Sequence, residues 1–216
     1  MLSTFSESTR NLLQSAAQHR KLAKGEMLFH EGKQPLAVFI LLNGKMKLYT
    51  IDNNGREQIV HLAAPNDIMG YRAVLGGDTF SVSATALEPS EVLVVPKETF
   101  LQALEADPEF SHAVIRLLTQ ELRHAEHHLA GLARMHVRAR LAQVLLILGN
   151  KFGYEADNQT LAVSMSRDEI AGLVGTATET VIRLLNTLKE EGLVATSGRK
   201  LRLIDKSGLQ RCSEGL

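Results

Sequence analysis

Apolar and polar residues alternate in short runs over residues 24–96 of this chain, and glycines separate the runs. Alternation with a period of two is typical of strands that bury one face, and turns at this spacing favour an antiparallel barrel or jelly roll. Residues 37–42 form the most apolar of these runs, and the Asn43-Gly44 pair that follows is a strong hairpin signal. A short helix is expected before the barrel, over residues 6–19.

A helical period replaces the alternation in the middle of the chain. Residues 110–137 are predicted to form one long helix, because apolar residues recur along it at steps of four and three, at Leu118, Leu122, Ala125, Leu129 and Leu132. A seam this narrow usually packs against another helix, so we expect these five residues to form a homodimer interface. Packing of the seam on the chain's own barrel is the alternative. A further helix is expected over residues 138–148, and a short strand over residues 161–163.

Two capping signals predict a pair of short helices joined by a glycine. Ser166 and Glu169 have the spacing of a capping box, which begins the first helix, and Gly175 is expected to end it. Thr176 and Glu179 form a second box of the same type, which is expected to begin the next helix. That helix would bury a stripe made of Val181, Leu184, Leu185 and Leu188. Two helices joined in this way indicate a helix-turn-helix.

The opposite face of the second helix carries side chains suited to reading base pairs. We expect Thr178, Glu179, Ile182 and Arg183 to contact bases, because a recognition helix places its first turns in the major groove. Arginine can pair with guanine, glutamate can accept a hydrogen bond from cytosine, and an apolar side chain can cover a thymine methyl group. The alternative is that Glu179 and Arg183 form an ion pair on an ordinary solvent-exposed helix.

Composition argues against a membrane-spanning or disulfide-stabilised protein, but it does not by itself support DNA binding. The 216 residues include 24 basic and 24 acidic ones, so net charge gives little support for a nucleic-acid partner, and that prediction depends on local cations. Contacts with the DNA backbone are expected from Ser166, Thr176, Arg199 and Lys200. No apolar run approaches the length of about 20 residues that spans a membrane, and no signal peptide is indicated, so we expect a cytoplasmic protein. A single cysteine, Cys212, excludes a disulfide within the chain and an iron–sulfur cluster held by four thiolates of one chain.

These motifs resemble those of the Crp/Fnr family of bacterial transcription regulators. Residues 179–183 match the family's recognition-helix pattern E-T-[VI]-x-R, residues 196–203 resemble its wing, and the similarity extends from about residue 22 to residue 204. The resemblance implies an α+β fold with three parts. They are an N-terminal antiparallel β jelly-roll barrel of the cyclic-nucleotide-binding type (residues 1–108), a long dimerisation helix (residues 109–137) and a C-terminal winged helix-turn-helix (residues 138–216). It also implies a homodimer that binds a palindromic site on double-stranded DNA and works with RNA polymerase.

The expected effector pocket departs from the family's cyclic-AMP pattern. Family members that bind cyclic AMP carry Gly-Glu in the barrel, followed by Arg-Ser or Arg-Thr, whereas the matching positions here are Gly70-Tyr71 and Phe80-Ser81. Both polar anchors of the nucleotide are absent, so cyclic AMP is not the expected effector. Arg72 could receive an anionic ligand in this pocket, although a surface or ion-paired arginine is the favoured interpretation.

The sequence leaves several kinds of sensor open. We find no catalytic motif, so no catalytic residue is expected, and no cofactor is predicted. His124 and His128 are four residues apart but lack a third ligand, so no metal site is expected. A haem-based gas sensor of the same family would use His19, His30 or His61. A cyclic-nucleotide-responsive regulator and a ligand-binding module that acts on a protein partner are also compatible with the sequence.

Overall fold

The computed structural model describes residues 6–215, and for residue 124 and residues 127–134 it describes the backbone without the side chains. The chain divides into two compact units. One unit runs up to Thr50 and resumes over residues 60–125, and the other comprises residues 51–59 and the chain from residue 126 onward.

Strands and helices occur mostly in separate runs along the chain, which is typical of an α+β protein. Within the described residues, the helices are α1 (Glu7–Ala16), α2 (Tyr71–Gly76), α3 (Lys97–Ala106), α4 (Pro108–Arg134), α5 (Val137–Phe152), α6 (Arg167–Val174), α7 (Thr178–Glu190) and α8 (Lys206–Ser213). The strands are β1 (Gln18–Leu22), β2 (Met27–Phe29), β3 (Ala37–Asn43), β4 (Met46–Ile51), β5 (Glu57–Ala63), β6 (Ile68–Met69), β7 (Ser83–Ala86), β8 (Ser90–Pro96), β9 (Val194–Ser197) and β10 (Lys200–Leu203).

The first eight strands form two antiparallel sheets that share an apolar core. Their strand orders are β1-β8-β3-β6 and β2-β7-β4-β5. Side chains from both sheets meet in one buried cluster, with Leu41 and Val92 contributed by the first sheet and Met46 and Ala84 by the second. The N-terminal jelly-roll part of the predicted fold is therefore confirmed.

The hairpin predicted at Asn43-Gly44 is wrong. The strands on its two sides, β3 and β4, lie in different sheets, so this turn carries the chain from one sheet to the other. Gly44 is needed because its φ is +91° and a Cβ there would lie 2.7 Å from the Cα of Ser90. The Asn43-Gly44 sequence therefore predicts the backbone conformation of the turn, but it does not predict which strands pair with β3 and β4. The hairpin of this region joins β4 to β5, where Asp52 Oδ1 accepts hydrogen bonds from the backbone N–H groups of Asn54 and Arg56.

Helices α1, α3 and the start of α4 cover the outer face of the first sheet. Their apolar side chains join Val38, Ile40, Leu93 and Val95 in a second buried cluster, together with Leu13, Phe100, Phe110 and Val114. Helix α1 ends at Ala16, three residues before the predicted end, because residues 18–22 pair with β8 as a strand. Asp107 ties α1 to α4, since its Oδ2 accepts hydrogen bonds from the hydroxyl groups of Ser6 and Thr9, each over 2.6 Å.

The predicted dimer seam begins on the same helix. Leu118 is partly buried against the second cluster, whereas Leu122 is 61% exposed and Ala125 is also exposed. The side chains of Leu129 and Leu132 lie outside the described residues. The homodimer interface therefore stays a prediction.

The C-terminal elements α5 to α8 build a separate core. Helix α5 packs against α8, α6 packs against α7, and β9 and β10 pair as an antiparallel hairpin, which we call the wing (residues 194–203). The four residues of the predicted stripe on α7, Val181, Leu184, Leu185 and Leu188, are all buried. The short strand predicted over residues 161–163 is wrong, because this segment forms only isolated bridges, between Leu161 and Tyr154 and between Thr160 and Arg202.

Candidate functional site

The first helix of the pair begins and ends as its sequence predicts. Ser166 Oγ accepts a hydrogen bond from the backbone N–H of Glu169 over 3.1 Å, and the Glu169 carboxylate accepts one from the backbone N–H of Ser166 over 2.7 Å. This capping box begins α6. Gly175 ends the helix in the left-handed conformation, with φ +70°, which lets the chain turn directly into α7.

Helix α7 begins without the second capping box, so that prediction is wrong. The residue preceding its first turn is Ala177, and no side chain caps it. Thr176 cannot take the role because its backbone N–H is bonded to the carbonyl of Ala171, which makes it part of the end of α6. Thr178 also has another partner, since its hydroxyl donates to Asp168 Oδ1 over 2.7 Å. This hydrogen bond connects the starts of the two helices.

One face of α7 is open to solvent and carries the predicted reading residues. Of the four predicted residues, Glu179, Ile182 and Arg183 are exposed and Thr178 is half-buried. The three exposed ones line a surface depression together with Asn186, Thr187 and Glu190. In the described part of the chain, the side chains of Glu179 and Arg183 form no ion pair with each other. The buried stripe on the other side holds the helix in place, so this face is free to contact a ligand.

Arg140, on α5, donates hydrogen bonds to the backbone of the turn between α6 and α7. Its Nε donates to the carbonyl of Val174 over 3.0 Å, and its Nη2 donates to the carbonyl of Gly175 over 3.2 Å. Its Nη1 donates to the carbonyl of Met135, at the end of α4, over 3.1 Å. A guanidinium at this position satisfies free carbonyl groups of α6 and complements the negative end of the helix dipole. Sequence reasoning missed this residue, because its partners lie up to 35 positions away.

Two polar contacts, one made by Arg167 and one made by Arg202, join the wing to the rest of its domain. Arg167, at the start of α6, donates from Nη2 to the carbonyl of Gly198 in the wing turn over 3.1 Å, and burial lowers the pKa of its guanidinium. Arg202 contacts Asp157, with Nε and Oδ2 3.5 Å apart. Hydrogen bonds from Thr160 lower the pKa of that carboxyl to about 2, so it is charged at neutral pH.

The two cations predicted to contact the DNA backbone have different surroundings. Lys200 donates from Nζ to both carboxylate oxygens of Glu155, over 2.8 and 2.9 Å. Arg199, at the tip of the wing, is exposed and has no ion pair within the part of the chain that the structure describes. Glu155, in the loop that follows α5, therefore neutralises Lys200 of the wing. The two residues are 45 positions apart, so the sequence contained no local signal of this ion pair.

The five residues of the expected effector pocket surround one small cavity in the barrel. Gly70, Tyr71, Arg72, Phe80 and Ser81 line it, together with side chains from neighbouring strands, and its volume is about 30 Å³. The ring of Phe80 stacks on Phe29, with centroids 4.2 Å apart. Both rings line the cavity, whose volume is that of about one water molecule.

Tyr71 and Arg72 connect this pocket to α4. Tyr71 is 2% exposed, and its hydroxyl interacts with the Glu121 carboxylate on α4. Burial, followed by the charge of Glu121, raises the pKa of the Tyr71 phenol far above its ordinary value, so the group stays neutral. The Nη1 of Arg72 lies 3.4 Å from Oε2 of Glu121, and the arginine side chain is 47% exposed. Arg72 is thus an ion-paired surface residue in this structure.

The described residues also bear on metal binding and membrane insertion. Across them, no three His, Cys, Asp or Glu side chains are grouped so that they could hold a metal ion. None of the described helices combines the length and the apolar character needed to cross a lipid bilayer.

Comparison with known proteins gives a consistent result for both units. Residues 19–107 match the family model of the cyclic nucleotide-binding domain, and residues 139–212 match that of the Crp-like helix-turn-helix domain. The transcriptional activator protein Anr of Pseudomonas aeruginosa is 30% identical over 207 residues, which are 94% of this chain and 84% of that protein. The cyclic AMP receptor protein of Thermus thermophilus is 29% identical, over 95% of this chain and 93% of that protein.

A solved structure agrees with this assignment. FixK2 from Bradyrhizobium japonicum superimposes with a TM-score of 0.81 at 26% identity, over 91% of this chain and 96% of that chain. The predicted fold, with its barrel and its C-terminal helix-turn-helix, is confirmed by these matches. Together with the capped helices, the exposed face of α7 and the wing, they show that this chain belongs to the Crp/Fnr family of bacterial transcription regulators.

Proposed function

We propose that this regulator reads a two-fold symmetric DNA site through the exposed face of α7. Base contacts are assigned to Thr178, Glu179, Ile182 and Arg183, and backbone contacts to Ser166, Thr176, Arg199 and Lys200. The observation that carries the proposal is that Glu179 and Arg183 are exposed on the outer side of a helix whose other side is buried.

The spacing of Glu179 and Arg183 suits a single G·C pair. Residues four apart on a helix project from the same side, so both can reach one base pair in the major groove. Arginine would donate two hydrogen bonds to guanine, and glutamate would accept one from N4 of the cytosine on the other strand. Since the two side chains do not pair with each other in the described structure, no ion pair has to break before they bind.

A second copy of this chain is the proposed partner of the seam on α4. The seam comprises Leu118, Leu122, Ala125, Leu129 and Leu132, and its 61% exposed Leu122 presents an apolar surface that an identical helix would bury. A two-fold pair of chains would set two recognition helices about 34 Å apart, one turn of DNA. The segment from Met135 to Arg140 is the proposed hinge, because Arg140 bonds Met135 on one side and the helix-turn-helix on the other.

The barrel is proposed to act without cyclic AMP. Its cavity of about 30 Å³ is far below the roughly 300–1,000 Å³ of ordinary ligand pockets, since Phe29 and Phe80 fill it. RNA polymerase is the proposed further partner, because a transcription regulator acts on its access to a promoter. The DNA target implies that the protein works in the cytoplasm.

In vitro selection from randomised duplex DNA, at one stated salt concentration, tests the proposal. The unmodified protein should enrich an inverted repeat with one invariant G·C pair in each half-site. Arg183→Ala should lose the preference at that pair and about 1–3 kcal/mol of binding free energy per half-site. Arg199→Ala is the matched control, since loss of a phosphate contact weakens binding to all sequences alike. If Arg183→Ala behaved like Arg199→Ala, Arg183 would contact phosphate and the assignment would be wrong.

A further inference from the structure

We propose that Glu121 of α4 is a positioning residue, which holds α4 on the barrel through Tyr71 and Arg72 and takes the place of a bound effector. The protein then binds DNA with no small molecule in its pocket. This inference rests on the proposed DNA readout and extends it, because it names the contact that keeps the regulator in its binding state. It also goes beyond the exclusion of cyclic AMP, since it applies to every ligand of this pocket.

Glu121 links α4 to α2 at the wall of the pocket. Among the described residues that line the cavity, Glu121 is the one from α4, whereas Tyr71 and Arg72 come from α2. Oε2 of Glu121 lies 3.4 Å from Nη1 of Arg72, and the carboxylate also contacts the hydroxyl of Tyr71. The Glu121 side chain is 20% exposed and its Oε2 is buried, so solvent weakens the attraction to Arg72 less than in a fully exposed pair.

The cavity beside this link leaves little space for an effector. Its volume of about 30 Å³ is that of about one water molecule, and the stacked rings of Phe29 and Phe80 line it. A larger molecule could enter only after Glu121 had separated from α2. Since a ligand shifts an equilibrium towards the state that binds it better, it would favour the separated state and not the state seen here. The linked state is therefore the ligand-free state.

The position of Glu121 on α4 also determines which face of the helix stays free. An α-helix has 3.6 residues per turn, so adjacent residues point in directions about 100° apart. Glu121 contacts α2, whereas the next residue, Leu122, is 61% exposed. A contact on one side of the helix fixes its rotation, and this directs Leu122 towards the proposed second chain. Helix α4 continues without a break to Arg134, so this orientation is kept up to the proposed hinge.

Removal of all bound small molecules tests whether an effector is needed. The protein is unfolded in guanidinium chloride, freed of small molecules by gel filtration and refolded, and its Kd for the selected inverted repeat is measured. The Kd refers to the fraction that binds excess DNA, so incomplete refolding does not affect the comparison. Equal values before and after refolding are expected. A weaker Kd after refolding would mean that a required molecule had been removed, and it would overturn the inference.

Exchange of the two charges tests the link itself. Glu121→Arg places two guanidinium groups together and Arg72→Glu places two carboxylates together, so each should weaken binding to the selected DNA about tenfold. The double variant restores an ion pair and should recover the affinity to within about threefold of the unmodified protein. Rescue by a change on α2, which is not part of the seam, would exclude a direct effect of residue 121 on the dimer interface. Glu126→Arg is the matched control, because it makes the same charge change at an exposed position of α4 and should not weaken binding.

The possible results distinguish this inference from the function on which it rests. If both single variants bind the selected DNA as tightly as the unmodified protein, or if the double variant binds no better than the single ones, the inference is wrong. The selected sequence and its reading by Arg183 would still stand. If the selection enriches no sequence, the proposed readout is wrong and this inference is overturned with it.

Discussion

Lys200 donates from Nζ to both carboxylate oxygens of Glu155, so a cation expected to contact the DNA backbone is paired within its own domain. The side chains are 57% and 43% exposed, respectively, and a pair this open contributes little to the stability of the fold. Its effect is on charge instead. Before Lys200 can contact a phosphate, its attraction to Glu155 has to be replaced.

Glu155→Gln is therefore expected to strengthen DNA binding. The substitution releases Lys200, so affinity should rise about two- to fivefold for every sequence, with a steeper dependence on salt. Titration of specific and random duplexes at several salt concentrations measures both quantities. Glu191→Gln is the matched control, because it makes the same change of net charge and releases Arg138 from an ion pair outside the wing. Equal effects of the two variants would mean that net charge, and not the wing, is responsible.

Removal of the Arg140 guanidinium should destabilise the helix-turn-helix. Arg140→Ala leaves partly buried carbonyl groups of Met135, Val174 and Gly175 without a donor, which should cost about 1.5–3 kcal/mol. Thermal unfolding followed by circular dichroism measures the loss. Arg138→Ala lies two positions away on the same helix and removes an ion pair with Glu191 and a hydrogen bond with Cys212 but leaves no backbone carbonyl without a donor, so it should cost less, about 1 kcal/mol. Similar small losses in both variants would contradict the role of Arg140.

The Asp107 carboxylate should make the first unit sensitive to acid. Hydrogen bonds from Ser6, then Thr9 and the backbone of Phe110, lower its pKa to about 2. Because this folded-state pKa is below the value of about 3.9 in an unfolded chain, the stabilisation is present above that value and is lost as pH falls through 2.

Substitution of this carboxylate should remove that dependence. Asp107→Asn should reduce thermal stability at pH 6 more than at pH 3, as measured by circular dichroism, whereas Asp78→Asn at an exposed position should change little at either pH. An equal loss at pH 6 and pH 3 for Asp107→Asn would mean that the carboxylate charge is not what stabilises the fold.

Cyclic AMP should not bind at physiological concentrations. Tyr71 and Phe80 stand in place of the two polar anchors, and an unpaired phosphate in the pocket would cost several kcal/mol, which moves a micromolar Kd to about millimolar or weaker. Titration calorimetry with cyclic AMP and cyclic GMP, on the unmodified protein and on Arg72→Ala, measures this. Binding tighter than about 10 μM that Arg72→Ala abolishes would show that Arg72 leaves Glu121 to form a new phosphate site.

A charge placed in the seam of α4 should give a monomer. Leu122→Glu would place a carboxylate where a second helix packs, and burial of an unpaired charge is strongly unfavourable. Light scattering should show half the mass, and binding to the inverted repeat should be lost. Gln120→Glu adds the same side chain two residues earlier, on another side of the helix, and should leave the mass unchanged. An unchanged mass for Leu122→Glu would exclude this seam from the interface.

Local sequence predicted the helix-turn-helix well because its signals act over short distances. The capping box of Ser166 and Glu169 joins residues three apart, and the Val181 stripe follows the helical period, so both could be identified before the structure. The second capping box failed because the preceding helix competed for its first residue, since the backbone N–H of Thr176 is bonded to the carbonyl of Ala171. The same limit explains the Asn43-Gly44 turn, whose conformation was evident but whose strand partners were not.

The sequence by itself therefore determined the fold class, the pair of short helices with the buried stripe of α7, and the exposed face that carries Glu179 and Arg183. Only the tertiary structure decided that Phe29 stacks on Phe80 to fill the pocket, that Glu155 neutralises Lys200 and that Arg140 holds the turn at Gly175. The physical reason is the separation of the partners along the chain. Hydrophobic period and capping depend on residues within a few positions, whereas these contacts join residues 35 or more positions apart, which only the packing of the folded chain brings together.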